Sequence, residues 1–125
     1  MGDFNKLIVW QNARKIAVDV YRLTSEGRLR NDFGFRDQIQ RAAVSIPVNI
    51  AEGEQLGSDK QSVRHLLIAR GSSAELMTLL SIGEEIGHIP AESAQNLIGD
   101  CRYLSISLTK LIKTRLDPSG TPIKR

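Results

Sequence analysis

His65, His88 and Cys101 carry the side chains best suited to acid–base, metal-binding or nucleophilic chemistry. Their surroundings point elsewhere. No HExxH helix and no Cys-rich ligand set occurs, so no metal site is expected. Both histidines sit among polar neighbours and read as solvated. Cys101 falls on the apolar stripe of the last predicted helix, where a thiol acts as a small packing group. Ser45, Ser72 and Ser73 lack the strand-to-helix turn of a nucleophile elbow. Gly53, Gly57 and Gly71 do not make a phosphate-cradling loop. The sequence therefore suggests no catalytic residues, no metal and no cofactor.

A second set of polar residues is more informative. Arg41, Ser45, Asn49 and Glu52 follow offsets of four, four and three, which places them on one helical face. That face lies between two apolar stripes. Further along, Arg70-Gly71-Ser72-Ser73-Ala74-Glu75 interrupts a strong apolar run. These residues read as a polar seam that sets helix register, within one chain or between subunits, rather than as a catalytic groove. Glu75 is expected to pair with Arg41 or Arg70. Pro47 sits inside the same helix and predicts a kink near Ala43–Pro47, with Ser45 or a neighbouring helix serving the freed carbonyl.

Four helices must position these groups. The first runs from about Phe4 to Thr24, with Val9, Ala13, Ile16, Val20 and Leu23 at helical spacing. The second runs from about Asp32 to Glu54 with two stripes: Ile39, Ala43, Ile46, Ile50 and Gly53, and beside it Val44, Val48 and Ala51. Apolar residues on two sides suggest unusually deep burial. The third starts at Ser58, whose spacing to Gln61 is that of a capping box, and stops at Gly87. The fourth runs from about Ala91, after Pro90 at its first position, to Leu116. Leu97, Cys101, Leu104, Leu108 and Leu111 form its core stripe. The loops are short except for Ser25–Asn31, which makes consecutive helices antiparallel neighbours. The expected fold is all-α, an antiparallel up-down-up-down four-helix bundle over residues 1–117, with a frayed tail at 118–125. A pair of helical hairpins completed only by oligomerisation is the alternative.

The chain has 125 residues and one cysteine, so one core and no internal disulfide are expected. No membrane span and no signal peptide are apparent, and a cytoplasmic location is the default expectation. The net charge is only +3, but its layout is uneven. Residues 1–41 hold eight Lys/Arg against five Asp/Glu, residues 42–100 three against eight, and residues 101–125 six against one. In an antiparallel bundle the start of the first helix meets the end of the fourth. Lys6, Arg14 and Lys15 then approach Lys110, Lys113 and Arg115, a candidate nucleic-acid-binding cluster.

Three blocks, LIVWQNARKIAVDVY, RAAVSIPVNIAEG and IARGSSAEL, resemble the bacterial four-helix-bundle family of 23S rRNA intervening-sequence proteins. The resemblance spans about Leu7 to Leu116. It departs at Ser25–Phe33, where the family usually has a Phe-Pro pair and this chain has Glu-Gly-Arg-Leu-Arg. The family is similar to the accessory variability protein of diversity-generating retroelements, a basic pentamer that binds nucleic acid and a reverse transcriptase. The resemblance implies an up-down bundle, a homopentameric ring, RNA or DNA as partners, and a reverse transcriptase or other protein partner. It implies no enzymatic activity.

Two functions follow as expectations. One is a non-enzymatic oligomeric adaptor that binds nucleic acid. Few aromatics are available for base stacking, so backbone contacts would dominate and sequence specificity would be low. The other is a protein-interaction scaffold without nucleic acid, in which the acidic middle, around Glu84, Glu85 and Glu92, meets a basic partner.

Overall fold

A computed structural model describes residues 7–55 and 58–123 of the chain. It contains four helices, α1 (Ile8–Thr24), α2 (Phe33–Gln55), α3 (Asp59–Glu85) and α4 (Ala91–Lys113), with a 3-10 turn at Arg28–Asn31. Among the described residues no strand forms; one isolated bridge joins Leu116 and Pro122. The predicted extension of α1 back to Phe4 lies outside the described residues, as does Lys6.

The side-chain pairings give the helix directions. On α2 and α3, Ser45 meets Ser72 and Asn49 meets His65, so rising numbers on one helix match falling numbers on the other. Between α3 and α4, Ser73 meets Ser105 and Arg70 meets Thr109, again in opposite order. Each consecutive pair packs together, and α1 closes the bundle against α4 over a thinner interface. The up-down-up-down reading matches this order.

The core comes from one stripe per helix. Val20, Ile39, Ile46, Ile50, Leu66, Leu76, Leu80, Leu104 and Leu108 are fully buried. Each such side chain contributes about 1.5–3 kcal/mol by leaving water. Cys101 lies in the same stripe on α4, as expected, and burial pushes its thiol up to about 12. The 25–31 loop also contributes: Leu29 is fully buried, and Gln40 Nε2 donates to Thr24 Oγ1 at 2.8 Å to tie the loop's base to α2.

Local signals set most helix ends. Ser58 caps α3, its hydroxyl accepting from Gln61 N–H at 3.3 Å. At the other end Gly87 takes φ 78°, His88 N–H donates to Gly83 C=O and Gly87 N–H to Glu84 C=O. That is a Schellman closure, which needs the left-handed residue glycine supplies. Pro90 is the cap of α4 rather than its first helical residue.

Four expectations change. On α2, which contains Pro47, the Ser45 hydroxyl goes to Ser72 and Asn49 and does not serve the Ala43 carbonyl as expected. The second apolar stripe of α2 is not buried by this chain: Val44 and Val48 are exposed and Ala51 is half-buried. The expected frayed tail instead folds into a turn over its described part. Asp117 Oδ1 accepts from Ser119 N–H, Thr121 N–H and the Ser119 hydroxyl, and Ile123 N–H donates to Arg115 C=O. Lastly, α3 is long and apolar enough, by length and composition, to cross a membrane. Its glycines, serines and alanines leave few charges in the central stretch; here that stretch packs between α2 and α4.

Candidate functional site

Two polar ladders run through the bundle, and α3 belongs to both. On the α2 side, the Ser72 and Ser45 hydroxyls lie 2.8 Å apart. Asn49 Nδ2 donates to Ser45 C=O at 2.9 Å and to Ser45 Oγ at 3.1 Å. Asn49 Oδ1 lies 3.0 Å from His65 Nδ1, and Glu52 Oε2 lies 3.2 Å from the same nitrogen. Both facing oxygens accept, so Nδ1 carries the proton. On the α4 side, Ser73 Oγ donates to Cys101 C=O at 3.1 Å and receives the Ser105 hydroxyl at 3.0 Å. Arg70 Nη1 donates to Thr109 Oγ1 at 3.2 Å.

The structure therefore assembles part of the predicted seam. Ser45, Asn49 and Glu52 join one network. Arg70 turns to α4. Arg41 and Glu75 are both exposed, and the structure gives Glu75 no pairing with Arg41 or with Arg70. Among the described residues the expected Glu75 ion pair does not form, and Arg70 donates to Thr109 instead. The partners Ser72, His65, Ser105 and Thr109 were not singled out from sequence as one network. The shared helical phase of His65, Ala69, Ser72 and Leu76 was the available signal.

The histidines also differ from expectation. Each side chain is only 20% exposed and bridges elements. His88 Nε2 lies 3.1 Å from Asp32 Oδ2, its ring meets Phe35 edge-on, and its Nδ1 is buried without a partner. That arrangement fits a neutral ring donating from Nε2 to the carboxylate. Glu85 and His88 have the Glu-x-x-His spacing of bundle metal pairs. Helix α3 ends between them, so they do not share a helical face. Among the described residues no cluster of three His, Cys, Asp or Glu side chains can hold a metal ion.

The five candidate cations among the described residues are not gathered into one patch. Lys6 lies outside the described residues. Arg115 is mostly buried: Nη2 donates to Glu54 Oε1 at 2.6 Å and Nε to Ser62 Oγ at 3.3 Å. Lys15 Nζ pairs with Asp19 at 2.9 Å, which raises its pKa through that hydrogen bond, and it faces Asp100 across the α1–α4 cleft. Arg14 lies on the other side of α1, beside Val44 and Pro47 of α2. Lys110 and Lys113 remain exposed in the last turn of α4, where they complement the helix dipole.

An open, mostly apolar groove of about 490 Å³ lies between α1 and α2. Ala17, Val18, Tyr21, Val44 and Pro47 form its floor, with Arg14 and Arg22 at its edges. Next to it the exposed side chains of Val48, Ile68, Ile82 and Ile86 continue the apolar surface onto α3. An exposed apolar surface is what these residues build.

Comparison with known proteins agrees with this architecture. The family model described as 23S rRNA-intervening sequence protein matches residues 5–110. A similar solved structure is a crystal structure of a protein of unknown function from the S23 ribosomal protein family of Bacteroides thetaiotaomicron. It is 25% identical, with a TM-score of 0.78, and the match covers 85% of this chain and 99% of that one. No curated protein matches. With a shared four-helix order and a family match over most of its length, the chain belongs to the 23S rRNA-intervening sequence protein family.

Proposed function

We propose that this protein is a non-enzymatic, self-associating adaptor, a homopentameric ring by family resemblance, that acts in the cytoplasm and binds nucleic acid with low sequence specificity. The observation that carries the reading is the second apolar stripe of α2. Val44 and Val48 stay exposed in the single chain, as do Ile68 and Ile82 of α3 and Ile86 at its C-cap. Leaving such a surface in water forfeits its transfer free energy, and covering it with another copy recovers that term. Repetition around a ring would multiply the exposed candidate cations of each subunit, Arg14, Lys110 and Lys113, into a larger local potential. Contacts would be to phosphates, so affinity would fall steeply with salt. The intervening-sequence name describes where such genes occur and supports no ribosomal role by itself.

A scaffold that binds protein and no nucleic acid is the second reading. It is favoured by two of the six candidate cations being neutralised, Lys15 by Asp19 and Arg115 by Glu54. Fluorescence anisotropy with labelled single-stranded RNA and DNA across a salt series separates the two. The adaptor reading expects similar binding to unrelated sequences at low salt, with log affinity falling linearly in log salt. Undetectable binding at low salt leaves the scaffold.

A further inference from the structure

Helix α1 divides its charges between two neighbours. Lys15 and Asp19 line the cleft against α4, where Asp100 also lies. Arg14 and Arg22 line the groove against α2. Counted from Arg14, the groove residues Ala17, Val18, Tyr21 and Arg22 follow at offsets of three, four, seven and eight, so one helical face carries them all. On the α2 side Val44 and Pro47 complete the wall. Ala17 and Pro47 are short, which leaves a trough between the two helices. Among the described residues that line it, every charged one is an arginine and none is a carboxylate.

The trough has the shape of a helix site rather than of a small-molecule site. Along α1 it extends from Arg14 to Ser25, about 16 Å or three helical turns. A small-molecule pocket encloses most of its ligand, whereas this trough stays open along one side. A helix laid in it puts one apolar face on the floor and keeps the rest in water. Tyr21, 49% exposed, and Val44, 37% exposed, offer the apolar contact. Arg14 and Arg22 lie about 12 Å apart along α1, so carboxylates two turns apart on the occupant meet both guanidinium groups.

We propose that the α1–α2 groove is a docking site for an acidic amphipathic helix of another protein, with its apolar face on Ala17, Val18, Tyr21 and Val44 and its carboxylates on Arg14 and Arg22. The proposal goes beyond the self-association reading and uses a different surface. Val44 belongs to the groove, and Val48, Ile68 and Ile82 remain for the contact between copies. Burial of the apolar floor supplies affinity, while the two guanidinium groups select an acidic helix over a basic one and set its position along the groove.

Fluorescence anisotropy of the full chain with a labelled, alanine-based helical peptide of about 18 residues tests it. The probe carries leucines along one face and two flanking glutamates two turns apart. It should bind about tenfold or more tightly than the same peptide with lysines in place of the glutamates. A peptide with serines in place of the leucines should lose binding. The double variant Arg14→Glu, Arg22→Glu should prefer the lysine peptide instead, and its sedimentation should match the wild type. No binding of the acidic peptide, equal binding of both charge versions, or an unchanged preference in the double variant overturns the proposal. Equal binding of the serine peptide reduces the groove to an anion patch and also overturns it. Loss of self-association in the double variant puts a second copy in the groove and overturns it as well. A monomeric wild type that prefers the acidic peptide supports the docking site and removes only the self-association reading. Circular dichroism checks folding. Should the reversal unfold, Arg14→Gln with Arg22→Gln should erase the preference between the two charged peptides, and a preserved preference overturns the proposal.

Discussion

Ser72 and Ser73 are adjacent in sequence and serve opposite flanks of α3. One hydroxyl reaches Ser45 on α2, the other Cys101 and Ser105 on α4. A step of about 100° per residue is enough to divide them between two neighbours. Asn49 is the hub of the first ladder, bonding Ser45 and His65 with both ends of its amide. Asn49→Ala removes three hydrogen bonds and leaves half-buried groups unpaired, so a loss of about 1–3 kcal/mol is expected in urea unfolding. The Arg115–Glu54 pair is more costly to halve. Glu54 is 10% exposed, and Arg115→Ala strands its carboxylate, for a loss of about 3 kcal/mol in the same measurement. Cys101, its thiol raised to about 12 by burial, should resist a thiol-specific reagent in the native protein and react on unfolding. Asp117 shifts the other way: the Ser119 hydroxyl and the Thr121 and Ser119 amides hold its carboxyl below the usual 3.8. A depressed folded pKa stabilises the turn above the unfolded value and releases it as pH falls through the folded one. The Ser119 and Thr121 amide signals in an NMR pH titration should therefore stay in place at pH 4 and move only below the ordinary carboxylate range.

At the scale of elements, most of the bundle was legible because it is written in short-range terms. The 3.6-residue period, the Ser58 cap and the Gly87 stop depend on neighbours within one or two turns, and they recur in α3 nearly as read. What was not legible depends on partners far along the chain. Arg115 meets Glu54 across 61 positions and His88 meets Asp32 across 56, and no local pattern marks either. The same limit explains Arg115 among the candidate cations: its charge was visible, its buried partner was not. Helix spacing itself can be probed at glycines. A Cβ on Gly53 would lie 3.2 Å from the Ser62 carbonyl oxygen and 3.3 Å from His65 Cβ, where α2 and α3 approach closely. Overpacking of about 1–3 kcal/mol should outweigh the helix-propensity gain, so Gly53→Ala lowers Tm. Gly99 on α4 has nothing within 4 Å of such a Cβ, and Gly99→Ala should raise stability by about 0.5–1 kcal/mol.

At the scale of the whole molecule, the doubly apolar character of α2 overstated its burial within one chain. One stripe fills the core and the other, with Val44 and Val48, stays at the surface beside the apolar strip of α3. A 125-residue bundle can bury its own core, so the exposed stripe needs a reason outside the single chain. Self-association is the reason proposed above, and the nucleic-acid reading rests on it because a ring would repeat the candidate cations of each subunit. Sedimentation velocity of the purified protein at micromolar concentration tests this most directly. The account predicts a discrete species at a multiple of 13.9 kDa, five-fold for a pentameric ring. A single species at 13.9 kDa across that range would contradict it.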